Sequence, residues 1–418
     1  MNSSTLNFKK HLLQLFLIGL IGAPNYSYAG SLDSLVQRTT IDTSQSKLNM
    51  DAVYNRPFLS TTKAPVALGG YLEANSLYSS TDGVSEGWSF QARRLTVFMS
   101  ASISNRIKFL SEIELEEGGK KIGIEFAAMD IAMHPAFNLR GGIVMNPIGA
   151  FNQNHDGPKW EFVERPTVGT QLLPATFSNA GFGIFGKVHK GKWIFGYEAY
   201  LTNGLDESII DNLENKTYLP AVKNNFGRFE ESSNGSPLVS GKVAVKNRKI
   251  GEIGISYMGG IYNQFEVDGL TTAPKNRYDV VAIDINTTIS KTKTTFVGEA
   301  LYAFIDVPES YTQQYGSKQA GAYLDVVQTI FTKNFFNWKA ATLNIACRFD
   351  YTDWNIGRFK ENNEVIGDEL FAITPALSFR PSSQTVIRLN YRIQNQIDIV
   401  QNPASKTRSW LFGFSTYF

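Results

Sequence analysis

Charged side chains in this chain recur at every second position, opposite rows of apolar ones. In 384–396, Arg388, Asn390, Arg392 and Gln394 alternate with Ile387, Leu389, Tyr391 and Ile393. In 107–117, Lys108, Glu112, Glu114 and Glu116 oppose Ile107, Phe109, Ile113 and Leu115. Arg140 opposes Leu139 and Ile143, Glu198 opposes Phe195 and Tyr197, Asp284 opposes Ile283 and Ile285, and Arg348 with Asp350 opposes Ile345 and Phe349. Fixed charges at this spacing share one face of an extended segment, where they can attract or repel dissolved ions.

Candidates for bond-breaking chemistry are few. Outside an N-terminal leader the histidines are His134, His155 and His189, and nothing in their spacing provides the serine and orienting third group of a hydrolase. The acidic stretches Asp206-Glu207, Glu230-Glu231 and 353–364 lack the ligand spacing of a calcium loop. They read as solvated charge, or as sites where cations bridge lipopolysaccharide. The glycines fall in strands and turns, not in a phosphate-cradling loop before a helix. The chain is expected not to be an enzyme and to use no cofactor or metal.

The period-two pattern asks for strands to position these charges. From Leu68 onward it predicts sixteen: 68–78, 89–102, 107–117, 121–132, 137–145, 180–190, 192–202, 238–246, 250–262, 278–290, 293–304, 318–331, 338–354, 368–380, 384–396 and 407–418. Every second connection is short, as at Ser104-Asn105-Arg106, His134-Pro135-Ala136, Lys190-Gly191, Asn247-Arg248-Lys249, Lys291-Thr292 and 380–383. The intervening links, 79–88, 146–179, 203–237, 263–277, 305–317, 355–367 and 397–406, are mostly longer, with 118–120 the short exception. Tight turns on one rim and long loops on the other are the habit of a transmembrane β-barrel. A lipocalin-like barrel would be apolar inside with about eight strands, whereas sixteen strands with charges on the inner face leave a wet channel.

Composition and the chain's ends agree. The chain has 43% hydrophobic and 13% aromatic residues with 35 Gly, and after the leader it has no apolar run long enough for a membrane helix. Lys9 and Lys10, the apolar run Leu12 to Ile21 and Ser27-Tyr28-Ala29 predict a secretory signal peptide over 1–29. Its removal leaves 38 basic against 38 acidic residues, a balance that argues against nucleic acid as a partner. Residues 30–67 alternate poorly and read as a periplasmic extension, partly disordered, with an ordered cap or plug as the alternative. The barrel is expected over 68–418. Cys347 is read as a small apolar strand residue. In the last strand Trp410, Phe412, Phe414 and Phe418 share one face, which resembles the C-terminal signal of bacterial outer-membrane barrels.

The connector 146–179 carries His155, Lys159, Trp160, Glu164 and Arg165. A loop so long and so rich in aromatics and paired charges is expected to fold into the barrel and narrow it, with an external lid as the alternative.

Several segments together resemble the phosphate-selective porin O and P family. They are Ser89-Phe90-Gln91-Ala92-Arg93-Arg94-Leu95, Leu110-Ser111-Glu112-Ile113-Glu114-Leu115, Ala136-Phe137-Asn138-Leu139-Arg140-Gly141-Gly142, Asn146-Pro147 and Phe162-Val163-Glu164-Arg165-Pro166. The likeness is best over about 70–205. It implies an all-β, sixteen-stranded antiparallel barrel with an inward-folded third loop, a homotrimer in the outer membrane among lipids and lipopolysaccharide. The expected function is passive diffusion of small hydrophilic solutes, with anions such as phosphate among them. Arg94, Arg140, Arg165, Arg388 and Arg392 are the expected basic pore-lining set, with Glu112 and Glu114 as counter-charges. The alternative is a barrel with a blocked pore serving adhesion or protein assembly.

Overall fold

The computed structural model describes residues 47–57, 66–309, 311, 316–360 and 362–418. The expected leader at 1–29, and residues 30–46 and 58–65 of the expected extension, lie outside the described residues.

Sixteen antiparallel strands close into one barrel. They are β1 (Val66–Thr81), β2 (Val84–Ser102), β3 (Ile107–Glu116), β4 (Lys121–His134), β5 (Phe137–Met145), β6 (Ser178–Lys190), β7 (Trp193–Thr202) and β8 (Leu238–Asn247). The second half comprises β9 (Gly251–Ile261), β10 (Arg277–Ile289), β11 (Thr294–Ile305), β12 (Lys318–Phe335), β13 (Trp338–Asp353), β14 (Glu369–Ser382), β15 (Thr385–Ile397) and β16 (Ser405–Tyr417). Each matches an expected strand. The alternation is legible because one face of every strand looks away from the lumen: Trp410, Phe412, Phe414 and Phe418 are 41–52% exposed, while Leu411, Ser415 and Tyr417 between them are buried. An apolar outer band with a polar inner face is the inverse of a water-soluble barrel.

The seam between first and last strand is continuous, running from Tyr71 opposite Tyr417 to Thr81 opposite Thr407. Gly70 and Phe418 exchange both backbone hydrogen bonds, each at 3.0 Å. A side chain at position 70 would run into the Thr96 carbonyl and the Phe418 ring, so the close approach needs glycine there.

The expected connector 79–88 is instead a two-residue turn. Asp82 and Gly83 take φ of 51° and 86°, the left-handed pair that a tight hairpin requires and that Asp-Gly tolerates. The Asp82 carboxylate anchors the turn to β16, accepting from the Lys406 amide at 2.8 Å and the Ser405 hydroxyl at 2.9 Å. Both strands therefore extend beyond the expected bounds, with the Tyr78 and Trp88 rings tilted against each other, centroids 5.2 Å apart.

Two bulges alter the inner face. Glu73 pairs with Arg94 and Ala74 with Ala92, leaving Arg93 as an extra residue in β2. Glu112 pairs with Phe126 and Ile113 with Ile124, leaving Glu125 as the extra residue in β4. A bulge places two consecutive side chains where alternation would place one.

The loops 146–177 and 203–237 fill much of the lumen's long-loop end. Ile148, Phe151, Trp160, Val168 and Leu172 of the first form one apolar cluster with Leu205, Ile209, Leu219 and Val222 of the second and with Tyr278, Leu301 and Tyr323 of the wall. Burying each such side chain contributes about 1.5–3 kcal/mol. Residues 47–57 belong to the same compact unit as the barrel. They run along its inner wall, with Leu48, Met50 and Val53 at 0–2% exposure.

Candidate functional site

The loop after β5 folds into the barrel, the arrangement expected from its length and aromatics. Asn152 closes its base: the side-chain amide donates to the carbonyls of Asn146 (2.7 Å) and Phe177 (3.0 Å), and its oxygen accepts from the Phe177 amide at 2.8 Å. Side chains of the far wall then receive the loop backbone. Glu299 accepts from the amides of Ala150 (2.6 Å) and Phe151 (3.1 Å), Asn390 from Val163 (2.7 Å) and Asp350 from Thr167 (3.0 Å). Arg388 donates to the Phe162 carbonyl at 2.6 Å and Arg348 to that of Glu164 at 2.7 Å. A backbone crossing a barrel loses its water, and these wall side chains replace those hydrogen bonds.

The expected basic residues divide between two tasks. Arg94, Arg165 and Arg392 line a cavity of about 480 Å³ together with Arg93, Lys216, Lys223, Glu116, Glu164, Thr167, Gln171 and Trp354. Six basic residues thus face two acidic ones across this space. The acids that neutralise them sit deeper: Arg94 bridges Glu73 and Glu114, both at 3.0 Å, Arg165 lies 3.8 Å from Glu114, Lys223 3.6 Å from Glu125, and Arg392 3.2 Å from Asp350. The Lys216 ammonium rests over the Trp354 and Tyr218 rings at 4.8 and 5.2 Å.

Arg388, Arg140, Glu112 and Glu114 act within the framework. Arg388 pairs with Glu73 at 2.9 Å beneath the loop. Arg140 holds Asp130 with two hydrogen bonds of 2.6 and 2.8 Å, and its guanidinium lies 3.4 Å from the Tyr54 ring centroid. Glu112 accepts from Arg56 at 2.8 Å. Glu114 serves Arg94 and Arg165. None of these three, Arg140, Glu112 or Glu114, borders the 480 Å³ cavity.

Glu112, His155 and Asp156 offer ligand atoms within 4.8 Å of one another. The positive charge among them is the Arg56 guanidinium, 2.5 Å from Asp156 and 3.3 Å from the His155 Nε2. His155 Nδ1 faces the Asn152 carbonyl at 2.8 Å, which assigns its proton there and leaves Nε2 as the acceptor. Burial would raise the Asp156 carboxyl, but the Arg56 guanidinium and the Lys159 ammonium hold it well below the usual carboxylate range.

A second cavity of about 390 Å³ is lined by Lys159, Trp160, Glu161, Phe162, Asn286, Thr329, Asn344 and Arg380. A space of about 10 Å³ is bounded by Glu73, Phe151, His155, Trp160, Phe162, Glu164, Arg165 and Arg388. That is room for a single water. The third loop lines all three spaces, Glu164 and Arg165 bordering the first and last, Trp160 and Phe162 the second and last.

Three basic residues of the 480 Å³ cavity, the vestibule over the third loop, escaped sequence reading. Arg93 turns inward only because of the bulge, and Lys216 and Lys223 arrive on the loop 203–237, which packs over the third loop. Only the consecutive Arg93-Arg94 pair was visible as a signal, being two charges where alternation allows one.

No family model matches the chain. A curated relative, an uncharacterized protein of Aquifex aeolicus, is 34% identical over 150 residues; the match spans 34% of this chain and about a third (33%) of the relative. The fold is that of bacterial outer-membrane porins. An anion-selective porin from Comamonas acidovorans superposes with a TM-score of 0.54 at 12% identity, covering 84% of this chain and 99% of that one. The outer membrane channel DcaP of Acinetobacter baumannii gives 0.52 at 11%, covering 86% and 99%. OmpT of Vibrio cholerae in its trimer form gives 0.52 at 9%, covering 85% and 100%.

Proposed function

We propose that the protein is an outer-membrane porin for passive diffusion of small hydrophilic solutes, with a preference for anions, phosphate among them. The observation that carries this reading is the vestibule over the third loop, where Arg93, Arg94, Arg165, Lys216, Lys223 and Arg392 face Glu116 and Glu164. Cationic heads at the surface with carboxylates behind them present the positive end of each pair to an entering solute, which concentrates anions over the third loop. No catalytic arrangement is part of this reading. The charged inner face and apolar outer face support a place in the outer membrane among lipids and lipopolysaccharide, reached through a cleaved leader. A homotrimer accords with the trimeric form of OmpT.

Phosphate specificity is tested by adding phosphate to one side of a bilayer carrying chloride current through the purified protein. Concentration-dependent block supports a phosphate-binding vestibule, and unchanged current shows that phosphate has no favoured site. The 10 Å³ space beneath Arg165 favours a second reading, a barrel with a blocked pore serving adhesion or protein assembly. Steady open current argues against it, and its complete lack selects it.

A further inference from the structure

Residues 47–57 are held from two sides. Toward the wall, the Asn49 amide donates to Glu252 at 2.8 Å, Asp51 pairs with Lys187, the Tyr54 ring packs edge-on to Phe126 (5.8 Å) beneath Arg140, and Arg56 pairs with Glu112 (2.8 Å) over the Phe98 ring (3.9 Å). Toward the third loop, the Asn49 side chain donates to the Ala150 carbonyl at 2.9 Å, Lys159 reaches the Ala52 carbonyl at 3.5 Å, and Arg56 binds Asp156. Tyr417 of β16 donates to the same Asp156 carboxylate at 2.6 Å. The segment thus crosses the inner wall from β9 to β2 and lies between that wall and the loop.

We propose that residues 47–57 are a fixed internal strap that closes the β2–β9 half of the lumen, and that Arg56 is the residue that fixes both the bore and the charge of what remains. The proposal rests on the channel reading above. With the strap seated, solute that has passed the vestibule is confined to the opposite wall, where Asn286, Thr329, Asn344 and Arg380 line the 390 Å³ cavity. Arg56 also neutralises Glu112 and Asp156, both 0% exposed. Without it, the strap loses its link between wall and loop, and two carboxylates are left facing the opened space.

Two measurements test this. In a Cys347→Ser background, a membrane-impermeant thiol reagent is applied to Val53→Cys and to Asn55→Cys. Position 53 is 0% exposed and position 55 is exposed on the same strap, so modification at 53 is expected to be slower by about 100-fold or more. Equal rates would show that the strap is not seated and would overturn the proposal. In bilayers, Arg56→Ala is expected to raise single-channel conductance about twofold, as lumen is returned to water, and to shift the zero-current potential toward cations. Unchanged conductance and potential would overturn the proposal. Lack of current in the unsubstituted protein would count against the channel reading alone, because the thiol rates decide the seating of the strap independently.

Discussion

Lys216 and Lys223 offer the most quantitative perturbation, because both reach the vestibule from a loop and neither belongs to a strand. Treated as a sphere, the 480 Å³ cavity has a radius of about 5 Å, so an ion at its centre lies roughly 7 Å from each lining charge. One unit charge at that distance in water is worth about 0.6 kcal/mol, and screening at 0.1 M salt reduces this to about 0.3 kcal/mol. The effect has opposite sign for anion and cation, so each lysine changes the anion-to-cation permeability ratio about 2.7-fold, and Lys216→Gln with Lys223→Gln lowers it about sevenfold. At 1 M salt the Debye length falls to about 3 Å and the same pair is expected to matter only about 1.5-fold. The assay is the zero-current potential across a tenfold KCl gradient, measured at two mean salt concentrations. A change under twofold at low salt, or one that does not shrink at high salt, would refute the assignment of this cavity to the ion path.

Other outcomes follow from the same contacts. Asn152→Ala removes three hydrogen bonds at the base of the third loop and leaves the buried Phe177 amide unpaired, at a cost of about 2–3 kcal/mol; a lower melting temperature and a noisier open current are expected, and a silent variant would mean the loop is held elsewhere. Gly70→Val drives a side chain into the Thr96 carbonyl and the Phe418 ring, so the closing seam should fail and the heat-resistant compact form should be lost on electrophoresis; a normal barrel would contradict the close packing. The depressed Asp156 carboxyl sets a pH window: its stabilising contribution is complete above its unfolded value near pH 4 and is lost only as pH falls toward the lower folded value. The effect of Arg56→Ala on conductance should therefore be the same at pH 8 and at about pH 5, and an effect that disappears by pH 5–6 would contradict the Arg56–Asp156 pin.

The barrel was legible because each strand has one face toward an apolar surrounding, and period two survives any error of a few residues at its ends. It failed locally where geometry departs from that period. The bulge at Arg93 puts two arginines on one face, and the Asp82-Gly83 turn was hidden behind the aromatic and serine residues of the strands that flank it. Inward-facing charge was also legible, but its employment was not. Arg388 finds Glu73 across 315 residues of sequence, and Arg56 finds Asp156 across 100. Alternation reports a direction for each side chain and says nothing of its partner. The residues that look like a pore lining thus divide into those that hold the third loop and strap in place and those that remain at the vestibule surface, a division that depends on loops with no periodic signal.

A net attraction of anions into an open passage is measured directly by the zero-current potential of the unsubstituted protein in a salt gradient. Purified protein in a planar bilayer, with KCl tenfold more concentrated on one side, should carry steady current whose reversal potential has the sign set by chloride. A potential of the opposite sign, or no current through barrels shown to be folded, would contradict it.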